Sequence, residues 1–145
     1  MEIDRSMAEP AIKALVQSSC FVCGPDNPRG LQLDFTCGDA GEMSASWTPH
    51  PDFEGFHSVI HGGIVSTILD ESMAKAVCAM KIEALTAELR VRFRRLVATG
   101  QPVRVKGWIS NRNKRMIHTE AALTAPDGLE LAHDWTVFLE LKPGP

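Results

Sequence analysis

The sequence predicts an α+β domain in which an antiparallel sheet curls around one buried central helix. Three observations carry this. From Ile64 to Met80 the residues Ile64, Val65, Ile68, Leu69, Met73, Ala74, Val77 and Met80 cover most of a helical circumference, so that helix is buried on nearly all sides and something must wrap it. Segments of period-two alternation stand before and after it. The turns between the later segments are too short for parallel crossovers, which leaves antiparallel neighbours.

The elements follow in order. A chain of 145 residues holds one core and little more, here divided into an N-terminal extension over 1–19 and a single domain over 20–145. A short helix is expected over Ala11–Gln17, after Pro10, and "GPDNPRG" at Gly24–Gly30 is dense in turn formers. "LQLDFTC" alternates Leu31, Leu33, Phe35 and Cys37 against polar residues, and "EMSASW" repeats the pattern with Met43, Ala45 and Trp47. The two read as a hairpin across "GDAG". "TPHPDFEGFHSV" reads as a loop leading into the helix. "LTAELRVRFRR" then sets Leu85, Ala87, Leu89, Val91 and Phe93 on one face against Thr86, Glu88, Arg90, Arg92 and Arg94 on the other. "PVRVKGWIS", "MIHTEAALT" and "LELAHDWTVFLEL" continue as strands, joined by turns at "VATGQP", "NRNK" and "APDG".

Composition narrows the function. A net charge of −3, with basic residues interleaved with acids, leaves no nucleic-acid footprint. "MEIDRSMAEPAIKALVQSS" carries acids and no long apolar run, so neither a signal peptide nor a membrane span is expected, and the reading is a cytoplasmic protein. Of Cys20, Cys23, Cys37 and Cys78, only "CFVC" is tightly spaced. A zinc site needs further ligands, and Cys37 with His50 or His57 forms no recognisable pair, so "CFVC" is expected to be reduced cysteines packed before a turn, with no metal.

The central helix opens on Gly62 and Gly63 and carries Asp70 beside Glu71. Asp70 falls on the face of Gly63, Ser66, Thr67 and Ala74, all small or polar, where a pocket has room. Glu71 lies about a hundred degrees round, with Lys75 four residues later in the order that favours a helix ion pair. An ionised carboxylate on so apolar a helix is costly unless it is partnered or used, so Asp70 is either a structural hydrogen-bonded group or a chemical one.

The stretches "CFVCGPDNPRGLQLDF", "FEGF", "VIHGGIVSTILDE" and "TAELRVRF" resemble the hotdog-fold acyl-CoA thioesterases of the phenylacetate-pathway (PaaI-like) group. The resemblance implies hydrolysis of an acyl-CoA thioester to a free acid and coenzyme A, with no metal or other cofactor, in a homodimer or dimer of dimers whose sites lie at the subunit interface. It implies that the amides of Gly62 and Gly63 polarise the thioester carbonyl at the helix N-terminus, and that Asp70 is the catalytic carboxylate. Thr86 aligns where a hydroxyl of the partner subunit orients the attacking water. His61 contacts the carbonyl or caps the helix. His57, Phe56, Ser66 and Met73 are candidates for the substrate pocket, which Trp47 and Phe53 also border. Arg112, Lys114 and Arg115 in "NRNKR" form either a docking patch for the coenzyme A phosphates or an ordinary solvated turn. The chain departs from the family at His57, where a small or apolar residue is usual. It departs again at Gly55, six residues before His61, where several relatives carry Asn or Gln. Two further readings share these residues: a non-catalytic acyl-CoA sensor, and a hydratase pairing His57 with Asp70.

Overall fold

Residues 19–142 are described by the structure, a computed structural model; the helix expected over Ala11–Gln17 lies outside the described residues. The elements are β1 (Thr36–Cys37), β2 (Met43–Trp47), α1 (Gly62–Ala79), β3 (Ala84–Phe93), β4 (Val103–Asn113), β5 (Met116–Thr124) and β6 (Glu130–Glu140). All strand pairs are antiparallel, in the order β1-β2-β4-β5-β6-β3. The sheet folds around α1, which packs against β2 through β6, the arrangement expected from the sequence. No helix among the described residues is long and apolar enough to cross a membrane.

The core lies between helix and sheet. Ile68, Leu69 and Met73 of α1 are fully buried against Ile117, Ala121 and Leu123, the inward-facing alternate positions of β5, and against Phe138 of β6. Close approach needs Gly107 on β4, since a Cβ there would lie 2.5 Å from the Ser72 carbonyl carbon. Because β3 follows α1 and, among the described residues, pairs with β6 alone, it forms a ten-residue edge of the sheet.

Three local departures from the sequence reading have physical causes. The strand expected from Leu31 is reduced to Thr36–Cys37, because Gln32 adopts φ 54° and breaks the extended run. Leu31 and Leu33 are still buried, but their amides bond Phe21 O at 2.7 Å and Val22 O at 2.9 Å in the preceding loop. The turn expected over "NRNK" shrinks because β4 runs on through Asn113, leaving Lys114 (φ 55°) and Arg115 to reverse the chain. The strict alternation expected along β3 is interrupted, since the register with β6 shifts between Thr86 and Glu88. Ala87 is the extra residue of a bulge, which turns Thr86 off the polar face and onto the helix side.

Candidate active site

The N-terminus of α1 is built by the loop before it. Ile60 N–H donates to Val97 O at 2.8 Å and His61 N–H to Phe53 O at 2.9 Å, which fixes where the chain enters the helix. His61 is the N-cap, its Nδ1 accepting from Gly63 N–H at 2.8 Å. The neutral ring therefore carries its proton on Nε2, as a donor. Of the two roles expected of His61, the cap is the one seen, and it uses Nδ1, not Nε2. This corrects the expectation for the glycine pair, because the Gly63 amide is occupied by the His61 ring. The amides of Ile64 and Val65 donate to His61 O at 2.9 and 3.1 Å. The Gly62 amide has no acceptor among the described residues.

The two glycines also differ in why no side chain stands there. A Cβ at Gly63 would lie 3.0 Å from His61 Nδ1, so this glycine makes room for the cap. A Cβ at Gly62 would meet only the Phe93 ring at 3.5 Å, an ordinary contact. Nothing among the described residues requires glycine at 62. Gly62 instead borders a cleft of about 340 Å³ lined by Gly55, Phe56, Ile60, His61 and Gly62. Phe56 stands 86% exposed at its rim. His57 is exposed beside this cleft without lining it.

Further along α1, Ser66 Oγ donates to Gly62 O at 2.9 Å and Thr67 Oγ1 to Gly63 O at 2.8 Å. Both hydroxyl protons are thus spent on the helix itself. Met73, expected at the pocket, is instead a core residue with no exposed surface, accepting from Thr119 Oγ1 at 3.2 Å. Its place one residue off the Asp70–Ala74 face turns it toward β5.

Asp70 Oδ1 accepts from Thr86 Oγ1 at 2.8 Å, both in the same chain. The resemblance supplies that hydroxyl from a partner; here the Ala87 bulge delivers it within one protomer. Burial pushes the Asp70 carboxyl above its ordinary value, and the Thr86 bond pulls back against it. Glu71 is buried against Lys75, whose Nζ lies 4.0 Å from Oε1, and against Cys23. Burial, with the neighbouring Glu71, pushes the Cys23 thiol up to about 12.

Sequence reasoning passed over Asp134. It has 0% exposure on β6, accepts from Thr136 Oγ1 at 2.7 Å, and leaves Oδ2 without a hydrogen-bond partner among the described residues. Burial, and then the charge of Asp70, push its carboxyl to about 6, against the pull of the Thr136 hydroxyl, the Arg90 backbone N–H and His133. The signal was present in the sequence: counting by two from Phe138 through Thr136 puts Asp134 on the inward face.

Within one chain the basic turn stands near the Thr86 that holds Asp70 and far from Gly62, because Glu140 pairs with Ala84, two residues before Thr86. Arg112 Nη2 pairs with Glu140 Oε2, and Arg112 Nε donates to Lys114 O at 3.1 Å. Arg115 Nε donates to Glu140 O at 2.9 Å. Glu140 pairs with Ala84, at the opposite end of β3 from Phe93, a separation of roughly 30 Å of strand.

Residues 57–132 match the Thioesterase superfamily, a span that runs from the loop before α1 to the first residues of β6. No curated protein matches the sequence. Among solved structures, a thioesterase superfamily protein aligns with a TM-score of 0.78 at 22% identity, over 81% of this chain and 61% of its own length. The chain therefore spans less than two thirds of that relative. The PaaI protein of the E. coli phenylacetic acid degradation operon aligns with a TM-score of 0.72 at 16% identity, over 77% of this chain and 81% of its own. A Streptococcus mutans protein bound to acetyl CoA aligns with a TM-score of 0.70 at 13% identity, over 76% and 91%. These likenesses place the chain in the hotdog fold, as a PaaI-like arrangement of six strands about one helix. With the family match covering more than half of its length, the chain belongs to the thioesterase superfamily.

Proposed function

We propose that the protein hydrolyses an acyl-CoA thioester to a carboxylic acid and coenzyme A, with Asp70 as general base in a site shared between two protomers. One observation carries the reading: a largely buried carboxylate, held by the Thr86 hydroxyl, sits on the same apolar helix whose first amide has no acceptor among the described residues. An amide without an acceptor among the described residues and a carboxylate raised by burial on one element suit a reaction in which an oxyanion and a proton are both handled. The S. mutans relative of this fold is bound to acetyl CoA, which supports the ligand class.

Gly62 and Asp70 of one helix are separated by a rise of roughly 12 Å, too far for one carbonyl. A second copy supplies the missing half. The β3 edge offers unpaired backbone groups over its length, with Leu89 42% and Phe93 53% exposed along it, a surface that pairing with another β3 would cover. In the reaction, Asp70 takes a proton from water as the water oxygen attacks the thioester carbon. The carbonyl oxygen becomes an oxyanion held by the other protomer's Gly62 N–H, with the Nε2–H of His61 as second donor. The C–S bond then breaks, and the departing thiolate takes the proton from Asp70.

The test is a panel of acyl-CoAs, from acetyl to long-chain and aryl, followed by release of free thiol. Asp70→Asn should lower kcat by at least about a hundredfold, the lower end for a general base, with folding retained. Binding of acyl-CoA without thiol release from the unaltered protein would make it a sensor and end the hydrolase reading. Mixing Asp70→Asn with Gly62→Val protomers should restore part of the activity, because some mixed dimers hold one intact site. No rescue after verified subunit exchange would refute the sharing.

A further inference from the structure

The two cysteines of the C-x-x-C loop are free thiols packed at a turn, as expected, and they meet a third group there. Gly24 N–H donates to Cys20 O at 2.7 Å and closes the loop. The Sγ atoms of Cys20 and Cys23 and a carboxylate oxygen of Glu71 then all lie within 4.8 Å of one another. Glu71 comes from α1, far along the chain, and this is why a search for a second ligand pair near Cys37, His50 or His57 finds none. Its side chain is only 7% exposed, and Oε1 has no hydrogen-bond partner among the described residues. A buried carboxylate oxygen with nothing to bond to is expensive. Lys75 stands 4.0 Å away, beyond hydrogen-bond reach.

We propose that Cys20, Cys23 and Glu71 bind one zinc-class divalent cation, which fastens the loop at residues 20–23 to the central helix. Two thiolates and a carboxylate are a donor set that zinc accepts, and tetrahedral zinc–sulfur bonds of about 2.3 Å need only a slight contraction of the present cluster. Binding displaces the two thiol protons to solvent. The cation with two thiolates and one carboxylate carries a single negative charge, which the Lys75 ammonium balances. Cys20 and Cys23 are half-buried, so water can reach the fourth position. The role is structural: the third ligand is the residue after Asp70, so the cation would set the rotation of the helix turn that presents Asp70. This assignment does not depend on the hydrolase reading.

The experiment uses the full, untagged chain, reduced and stripped with chelator, then titrated with Zn²⁺ and separately with Co²⁺. One equivalent of either metal should bind, and the cobalt form should develop thiolate-to-cobalt charge-transfer absorption with tetrahedral ligand-field bands. Cys20→Ser/Cys23→Ser should abolish the charge transfer, and Glu71→Gln should weaken zinc at least tenfold while keeping it. Asp70→Asn should bind zinc as the unaltered chain does. X-ray absorption on the unaltered zinc form needs no variant to fold, and should give two sulfur neighbours with the rest oxygen. Absence of saturable binding in the reduced, folded chain would overturn the proposal. So would a sulfur count other than two, or undiminished binding in the double serine variant.

Discussion

Asp134 offers a sharp test of the electrostatics around the central helix, independent of any activity. Its carboxyl is raised from an ordinary 3.8 to about 6 by burial and by the charge of Asp70. The direction fixes the sign. A carboxyl held above its unfolded value binds its proton more tightly in the fold, so the fold gains stability as pH falls through about 6 toward 4 and loses it as pH rises. At 1.36 kcal/mol per pH unit, the interval from 3.8 to about 6 corresponds to about 3 kcal/mol. Asp134→Asn does not titrate, and its carbonyl oxygen can still accept from the Thr136 hydroxyl and the Arg90 N–H. Its amide replaces Oδ2, which has no partner among the described residues, and that buried donor costs about 1–3 kcal/mol at every pH. The pH-dependent part is therefore the quantity to read. Urea unfolding of both proteins from pH 4 to pH 8 should show the variant gaining on the parent by up to about 3 kcal/mol across that range. A stability difference that stays flat with pH would refute the reasoning.

Three further outcomes follow from the same geometry. Thr86→Val removes the bond that pulls Asp70 down, so the acid limb of the kcat/KM profile should move to higher pH and Thr86→Ser should bring it back; an unmoved limb would mean that Asp70 is not the group titrating. Gly63→Ala places a Cβ 3.0 Å from His61 Nδ1 and should displace the cap, costing about 1 kcal/mol in thermal or urea unfolding; an unchanged midpoint would show that the ring relaxes freely. Arg112→Ala loses a partly exposed pair with Glu140, so stability should fall by less than about 1 kcal/mol with KM for acyl-CoA unchanged, whereas a several-fold, salt-dependent rise in KM would return this turn to the coenzyme site.

What could be read from the sequence was whatever repeats along it. The apolar circumference of Ile64–Met80 and the alternation of "MIHTEAALT" survive translation into structure because burial and periodicity are the same fact seen twice. The glycine pair was legible as the start of the helix but not as two different glycines. Only the folded-back His61 ring separates the one that accommodates a cap from the one that borders the cleft. Thr86 was misplaced because alternation assumes an unbroken ladder, and one extra residue at Ala87 reverses the faces with no mark in composition. The Cys20–Cys23–Glu71 cluster was invisible for another reason, since sequence proximity says nothing about which turn of a distant helix a loop will meet. Asp134 needed only a stricter reading of β6, where a carboxylate on an inward position contradicts its neighbours.

Three carboxylates near one helix can hold different protonation behaviour only if their surroundings separate them. Glu71 has Lys75 and the thiols beside it, and Asp70 has one hydroxyl. Asp134 has a hydroxyl and an amide but no exposure, and it also feels Asp70. The charge on Asp70 therefore helps to hold the proton on Asp134. With Asp70 protonated, the charge that adds to burial in raising Asp134 is gone. A double-mutant cycle isolates this. In an Asp70→Asn background the Asp134 carboxyl loses one of its upward causes while burial remains. The pH-dependent gain from Asp134→Asn should then shrink, and its midpoint should move below about 6. An identical gain in both backgrounds would mean that burial alone raises Asp134 and that the two carboxylates ignore each other. A gain lost entirely would mean that Asp70 accounts for the whole effect, so that Asp134 responds to the charge on Asp70 and not to its own burial.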